Sequence, residues 1–207
     1  MKPLAIDLFC GLGGWTEGLL AEGFTVIGFD IEQHIYGEHK YPAQLVIQDV
    51  LTLQGSQFKT AALIVASPPC QAYSYRAMPW KRAKALPPPD NSLFEACFRI
   101  QREASEAAGH HIPLVVENVR GAQKWVGRAR WRYGSFYFWG DTPALIPSGT
   151  HRKQQAWFYD NYENSARRFG SKSRQRKEWS ALIAKIPLPV SQHIARVYKP
   201  DVVSSPT

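Results

Sequence analysis

Five short apolar runs between Pro3 and Asn118 each end in a glycine turn, an acid or a proline-bounded cysteine, and this arrangement constrains the fold more than any other feature of the chain. Pro3–Phe9 leads into Gly11-Leu12-Gly13-Gly14. Phe24–Phe29 ends at Asp30, Gln44–Gln48 ends at Asp49, Ala61–Ala66 runs into Ser67-Pro68-Pro69-Cys70, and Pro113–Val116 runs into Glu117-Asn118. Short apolar runs that alternate with longer helix-like stretches predict the parallel strands of an α/β sheet. In open sheets of that kind the carboxyl edge of the strands is where ligands bind. The polar ends of the five runs are therefore the candidate site. Of the intervening stretches, Gly14 to about Glu22 reads as a short helix, and Leu93 to about Ala108 as a longer one. Ser92 and Glu95 carry a capping-box spacing at the start of the longer helix. Leu93, Ala96, Cys97, Ile100, Ala104 and Ala107 share one face of it, so Cys97 is read as packing.

With 207 residues, 44% of them hydrophobic, the chain is long enough for one domain with a real core and a small appendage. The apolar runs are all far shorter than the roughly 18 residues a membrane helix needs. The start, Met1-Lys2-Pro3-Leu4, passes straight into a strand-like run with no signal-peptide pattern. The three cysteines, Cys10, Cys70 and Cys97, form no CxxC pair, so neither a disulfide framework nor a cysteine metal site is expected, and a reducing compartment fits. The net charge of +8 is unevenly placed. Arg76, Lys81, Arg82 and Lys84 form one acid-free stretch, and Arg120, Lys124, Arg128, Arg130 and Arg132 another. Arg152, Lys153, Arg167, Arg168, Lys172, Arg174, Arg176 and Lys177 form a third cluster, with a few acids among them. Tyr73, Tyr75, Trp80, Trp125, Trp131, Tyr133 and Trp157 are interleaved. Clustered cations with aromatic neighbours suit phosphates and exposed bases, so a nucleic acid is the expected partner.

The strand ends suggest chemistry residue by residue. A glycine turn lets a ligand approach the backbone. Asp30, at the end of the next strand, can accept both hydroxyls of a ribose. Asp49 can take an adenine amino group, with Ile31 and Val50 sandwiching the ring. No Gly-Lys-Ser/Thr follows the glycines, so a nucleoside-type ligand without a phosphate cradle is favoured over a nucleotide. Cys70 follows two stiffening prolines at a strand edge. As a thiolate it would be a strong nucleophile, with cations such as Arg76 lowering its pKa; a buried inert cysteine is the competing reading. Glu117 follows Leu114-Val115-Val116, where partial desolvation should raise its pKa and let it hold a proton. An edge carboxylate paired with Arg120 is the alternative.

In this order and spacing, the blocks Asp7-Leu8-Phe9-Cys10-Gly11-Leu12-Gly13-Gly14, Ser67-Pro68-Pro69-Cys70-Gln71-Ala72-Tyr73-Ser74 and Glu117-Asn118-Val119 resemble the signature blocks of cytosine-5 DNA methyltransferases. The resemblance covers roughly residues 4–120. It implies a Rossmann-like methyltransferase fold that uses S-adenosylmethionine, with a small basic appendage. It implies Cys70 as nucleophile and Glu117 as the acid, with Asn118 beside it and Arg130 as an active-site arginine. Phe9, Gly11, Leu12, Gly14, Asp30, Ile31, Asp49, Val50 and Pro69 match cofactor-contacting positions. Gln71, Ser74, Arg76, Lys81, Arg82, Arg132, Arg167, Arg168, Lys172, Arg174 and Arg176 are the expected contacts to double-stranded DNA. Residues 1–146 would form the catalytic part, 147–180 a short basic recognition segment, 181–200 a helix returning to the catalytic part, and 201–207 a loose tail.

The sequence departs from the family pattern in three places. The Gln-x-Arg-x-Arg block is represented only by Arg128-Ala129-Arg130-Trp131-Arg132, and phosphate contact is the competing role for these arginines. Ile183-Ala184-Lys185-Ile186-Pro187 replaces the late Gly-Asn turn, and the recognition region is short. The resemblance further suggests a metal-free monomer in a bacterial or phage-infected cytoplasm, including restriction-modification settings. Two other function classes stay open. One is an amino-group methyltransferase, whose Pro-Pro motif is followed by an aromatic where Cys70 stands here. The other is a non-catalytic DNA-binding module. An RNA substrate is a further option.

Overall fold

The computed structural model describes residues 2–74, 86–144, 170 and 173–200. The strands are β1 (Leu4–Leu8), β2 (Thr25–Asp30), β3 (Ile35–Tyr36), β4 (His39–Lys40), β5 (Gln44–Ile47), β6 (Ala61–Ala66), β7 (Leu114–Val119), β8 (Trp131–Tyr133) and β9 (Phe136–Gly140). The helices are α1 (Gly14–Ala21), α2 (Ser92–Ala108), α3 (Gln123–Val126), α4 (Arg174–Ala184) and α5 (Leu188–Tyr198). Seven strands form one sheet in the order β5-β2-β1-β6-β7-β9-β8, and β3 pairs with β4 in a small separate ribbon. The pairs from β5 to β7 are all parallel, and β9 runs antiparallel to both β7 and β8. The expected α/β, Rossmann-like class is what the chain adopts. The strand order reverses between β1 and β6, so their carboxyl ends flank the switch point at which such sheets bind ligands.

The pleat divides the core in two, because alternate side chains face opposite ways. On one side Ile6, Leu8, Ile64, Ala66, Leu114 and Val116 pack against Phe94, Cys97, Ile100 and Ala104 of α2. On the other, Ala5, Leu63, Val65, Val115 and Phe138 pack against Trp15 and Leu19 of α1 and Val190 and Ile194 of α5. Cys97 is fully buried, as its place on the helix stripe required.

Several local expectations need correction. Ser92 does not cap α2 but is its first helical residue. Asn91 occupies the cap position, and the Asp90 carboxylate, two residues upstream, accepts the Ser92 N–H at 2.8 Å. Glu117 and Asn118 lie inside β7 rather than beyond it, because pairing with β9 continues to Val119. The strand expected at Ser135–Trp139 is half of a hairpin whose other half, β8, was read only as an arginine block. Gly134 supplies the positive φ (58°) at the first position of its two-residue loop. The stretch read as irregular up to Arg176 turns helical at Arg174, where the Ser173 Oγ accepts the Arg176 N–H at 3.2 Å. The rest of the basic segment and the tail 201–207 lie outside the described residues.

Candidate active site

At the end of β1 the chain turns sharply. Phe9 takes a positive φ of 56°, a rare conformation for a bulky residue. The turn lets the Cys10 N–H reach the Phe29 carbonyl at 3.1 Å, while Gly11 (φ 51°) and Gly13 (φ 80°) complete the loop into α1. A Cβ on Gly11 would meet nothing within 4 Å, so the turn borders open space. Asp30 braces it: Oδ2 accepts the Gly11 N–H at 2.9 Å, and Oδ1 accepts that of Ile31 at 2.8 Å. His34 Nε2 stands 3.7 Å from the same Oδ1. Burial pushes the Asp30 carboxyl up, but the bonds from His34, Gly11 and Glu32 outweigh it and hold its pKa below the usual value. The contact with Asp30 raises the pKa of His34 in return. Ile31 is 71% exposed beside this turn.

Asp49 caps the short 3-10 turn Val50–Thr52 by accepting the Leu51 N–H at 2.9 Å. Val50 is only 2% exposed and belongs to the core; its neighbour Leu51 faces outward. Beneath the glycine turn, Asp7 is fully buried. Thr16 Oγ1 donates to its Oδ2 at 2.6 Å and in turn accepts from the Tyr41 hydroxyl at 2.6 Å. The other Asp7 oxygen has no hydrogen-bond partner, and burial pushes its pKa to about 7.

Across the switch point, Pro69 is exposed and Cys70 half-buried. The Asn118 side chain fixes this turn: Nδ2 donates to the Pro68 carbonyl at 2.9 Å, while Oδ1 accepts the Val119 N–H. Asn118 is completely buried, so it holds the cysteine turn against β7. The Tyr73 N–H closes the other side of the turn on the Cys70 carbonyl at 3.0 Å. Burial, followed by the charge of Glu117, pushes the Cys70 thiol above its ordinary pKa. The cation expected to lower it, Arg76, lies outside the described residues.

Glu117 sits one strand over. Ala66 pairs with Val116, so the next pair in register is Ser67 opposite Glu117. Burial raises the Glu117 pKa to about 8 against a lowering hydrogen bond from Ser67, in line with the rise expected from its apolar flank. Sequence reasoning did not single out Ser67, although a serine directly before Pro-Pro was a visible signal.

The remaining expected residues are more scattered. Gln71 is exposed and Ser74 half-buried next to Cys70. Arg130 and Arg132 are exposed at the far edge of the sheet, with β9 between them and β7. Arg132 shares a cross-strand row with Tyr137 and Asn118. On α4, Arg174 is exposed and Arg176 half-buried. Phe9 and Gly11 are partly exposed, whereas Leu12 and Gly14 are buried. Lys81, Arg82, Arg167, Arg168 and Lys172 lie outside the described residues. Among the described residues no group of His, Cys, Asp and Glu could hold a metal ion, and no helix is long and apolar enough to cross a membrane.

Residues 4–126 match the family described as C-5 cytosine-specific DNA methylase. Solved structures with similar folds include a protein described as a DNA modification methyltransferase encoded within an E. coli prophage (26% identity, TM-score 0.42, covering 60% of this chain and 34% of that one). The S. pombe Dnmt2 methyltransferase is 16% identical, with a TM-score of 0.40 and coverage of 60% and 36%. The Entamoeba histolytica methyltransferase EhMeth is 19% identical, with a TM-score of 0.42 and coverage of 60% and 40%. The matched part thus spans little more than a third of those proteins. No curated protein sequence matched.

Proposed function

Because the chain belongs to the C-5 cytosine-specific DNA methylase family, whose profile matches residues 4–126, we propose that it transfers a methyl group from S-adenosylmethionine to C5 of cytosine in double-stranded DNA. The observation that carries this reading is the juxtaposition of a half-buried cysteine turn with a carboxyl whose pKa is about 8, on neighbouring strand ends beside the Gly11–Asp30 turn.

The donor pocket fits a nucleoside-type sulfonium. Open space in front of Gly11, a carboxylate at Asp30 and an exposed apolar side chain at Ile31 are what a ribose and an adenine need. Asp30 takes the ribose hydroxyls in place of His34, Ile31 covers one face of the adenine, and Asp49 lies at its amino edge. Phe9 and Pro69, both at least partly open to solvent, shape the surrounding wall, with Leu12 and Gly14 beneath the glycine turn. When bound, S-adenosylmethionine supplies an electrophilic methyl group.

The reaction then follows from the residues of this chain. The Cys70 thiolate forms a bond to C6 of cytosine, and the C5–C6 π pair moves to C5, making that carbon nucleophilic. Glu117, protonated at neutral pH, donates to N3 and offsets the charge that builds there. Once C5 carries the methyl group, its proton passes to water and the Cys70 sulfur departs with its bonding pair, restoring the ring. Neither carbon can be attacked in this way inside a stacked duplex, so the base is rotated out of the helix. Gln71 and Ser74, beside the cysteine, are placed to hold it. The exposed Arg132 and Arg174, with the basic segments outside the described residues, neutralise phosphates.

Double-stranded DNA carrying 5-fluorocytosine is the test, because fluorine at C5 cannot leave as a proton and traps the adduct. With S-adenosylmethionine present, the wild-type chain forms a covalent complex that survives denaturation. Cys70→Ala abolishes it, and Cys97→Ala retains it. Absence of an adduct with the wild-type protein would favour the non-catalytic reading. Methylated adenine or N4-methylcytosine in digested DNA would favour the amino-group class.

A further inference from the structure

Glu117 is enclosed on three sides. Ser67 follows it in register on the β6 side, and Phe138 is its cross-strand neighbour on β9. Trp15, the second residue of α1, lies over both. Its ring meets Phe138 edge-on, with centroids 5.9 Å apart, and its Nε1–H donates to Ser67 Oγ at 3.0 Å. Trp15 is 2% exposed, so this geometry is fixed by packing. An indole N–H can only donate, whereas a hydroxyl has a single hydrogen to give. With one Ser67 lone pair occupied by Trp15, the hydroxyl hydrogen stays free for an acceptor, and Glu117 is the neighbour that follows in register on β7.

We propose that Trp15 and Ser67 are positioning residues that orient the Glu117 carboxyl. The proposal deepens the reading of Glu117 as the proton donor and rests on it. Ser67 commits one carboxyl oxygen and leaves the other for the base. Its hydrogen bond also offsets part of the burial that disfavours the carboxylate. Trp15 polarises the serine, since hydrogen bonds in a chain strengthen one another in a dry interior. The next residue, Thr16, is bonded to Asp7 beneath the glycine turn. One turn of α1 therefore links the donor side of the site to the acid side.

The test is a carboxyl titration by NMR of protein labelled with carboxyl-13C glutamate, with Glu117→Gln assigning the resonance, alongside the pH profile of kcat/KM. Ser67→Ala moves the Glu117 midpoint upward by about half to one pH unit, the scale of one hydrogen bond to a charged group. Trp15→Phe keeps the ring and moves the midpoint the same way by less. Ser67→Thr restores the hydroxyl and the original midpoint. The break in the activity profile follows the midpoint. An unmoved midpoint in both Ser67→Ala and Trp15→Phe overturns the proposal, and if Ser67→Ala does not fold, Trp15→Phe decides alone. A midpoint that moves without the activity profile leaves the coupling intact and overturns the catalytic role given to Glu117.

Discussion

The carboxyl of Glu117 lies near enough to Cys70 for its charge to disfavour the thiolate, and burial works against ionisation of both groups. The reacting form needs Cys70 ionised and Glu117 protonated. The thiol titrates above its ordinary value and the carboxyl at about 8, so this form is a minor one at every pH. Below about 8 the fraction of thiolate rises tenfold per pH unit while Glu117 stays protonated. Above it, each gain in thiolate is cancelled by loss of the Glu117 proton. The expected profile of log kcat/KM is a line of slope one that breaks to a plateau near pH 8. Glu117→Gln removes that break and lowers the rate by roughly 100-fold or more. Steady-state methyl transfer between pH 6 and 9.5 provides the measurement. A rate independent of pH below 8 contradicts the assignment.

Asp7 gives a stability prediction with a definite sign. Its pKa is 3.8 in a free chain and about 7 when folded, so the folded state binds more protons between these values. Its contribution is fully present below about pH 4 and is lost as pH rises towards 7. The displacement caps the loss at about 4 kcal/mol, an upper bound. Asp7→Asn keeps an acceptor for Thr16 and carries no charge. The variant is therefore expected to be more stable than the wild type at pH 8 and to show a flatter fall in urea midpoint from pH 5 to 8.5. Part of the slope that remains belongs to Glu117 and is removed in the double variant Asp7→Asn/Glu117→Gln, while His34, whose pKa is raised by Asp30, supplies a further part. Equal slopes in wild type and Asp7→Asn refute the claim.

What could be read ahead of the structure was the sheet edge. The strands leading to Asp30, Asp49 and Cys70 were legible because each apolar run is short and stops at a polar residue or a proline turn, whereas β7 runs on through buried Glu117 and Asn118 to Val119 because β9 pairs with it. The bracing of the glycine turn by Asp30 was not legible, because a bond between Gly11 and Asp30 depends on the parallel register of β1 and β2. Asn118 illustrates the same limit. Its type and place suggested a part in the chemistry, while its hydrogen bonds show it fastening the Pro68 carbonyl. β8 was hidden because Arg128-Ala129-Arg130-Trp131-Arg132 reads as a charge cluster; only pairing with the aromatic β9 makes part of it a strand. Val50 looked like an adenine contact from its place after Asp49, but the 3-10 turn points it into the core and leaves Leu51 outside.

Asp30→Ala removes the acceptor that closes the turn and the group proposed to hold the ribose. A hydrogen bond to a charged group is worth about 1.5–3 kcal/mol, so affinity for S-adenosylmethionine should fall by roughly 10- to 150-fold. Isothermal titration of the wild type and variant with S-adenosylhomocysteine measures this without turnover. Cys70→Ala serves as the comparison, expected to bind within about twofold of wild type. Equal affinity in Asp30→Ala would place the nucleoside elsewhere.

Gly18 looks like a position where alanine should help, since glycine within a helix costs about 1 kcal/mol relative to alanine. The packing of α1 against α5 reverses the sign. A Cβ on Gly18 would stand 2.2 Å from Ser191 Oγ and 2.5 Å from the Gln192 amide nitrogen. The serine side chain can turn away, but the backbone of α5 cannot move without shifting Val190 and Ile194, which are 2% and 1% exposed. Gly18→Ala is therefore expected to destabilise the fold by about 1–3 kcal/mol, the usual cost of overpacking. Adding Ser191→Gly relieves the first contact and not the second, so the double variant recovers only part of the loss. Urea denaturation of the two single variants and the double variant checks this. A Gly18→Ala protein as stable as the wild type would mean that α5 does not press on α1 as closely as the geometry requires.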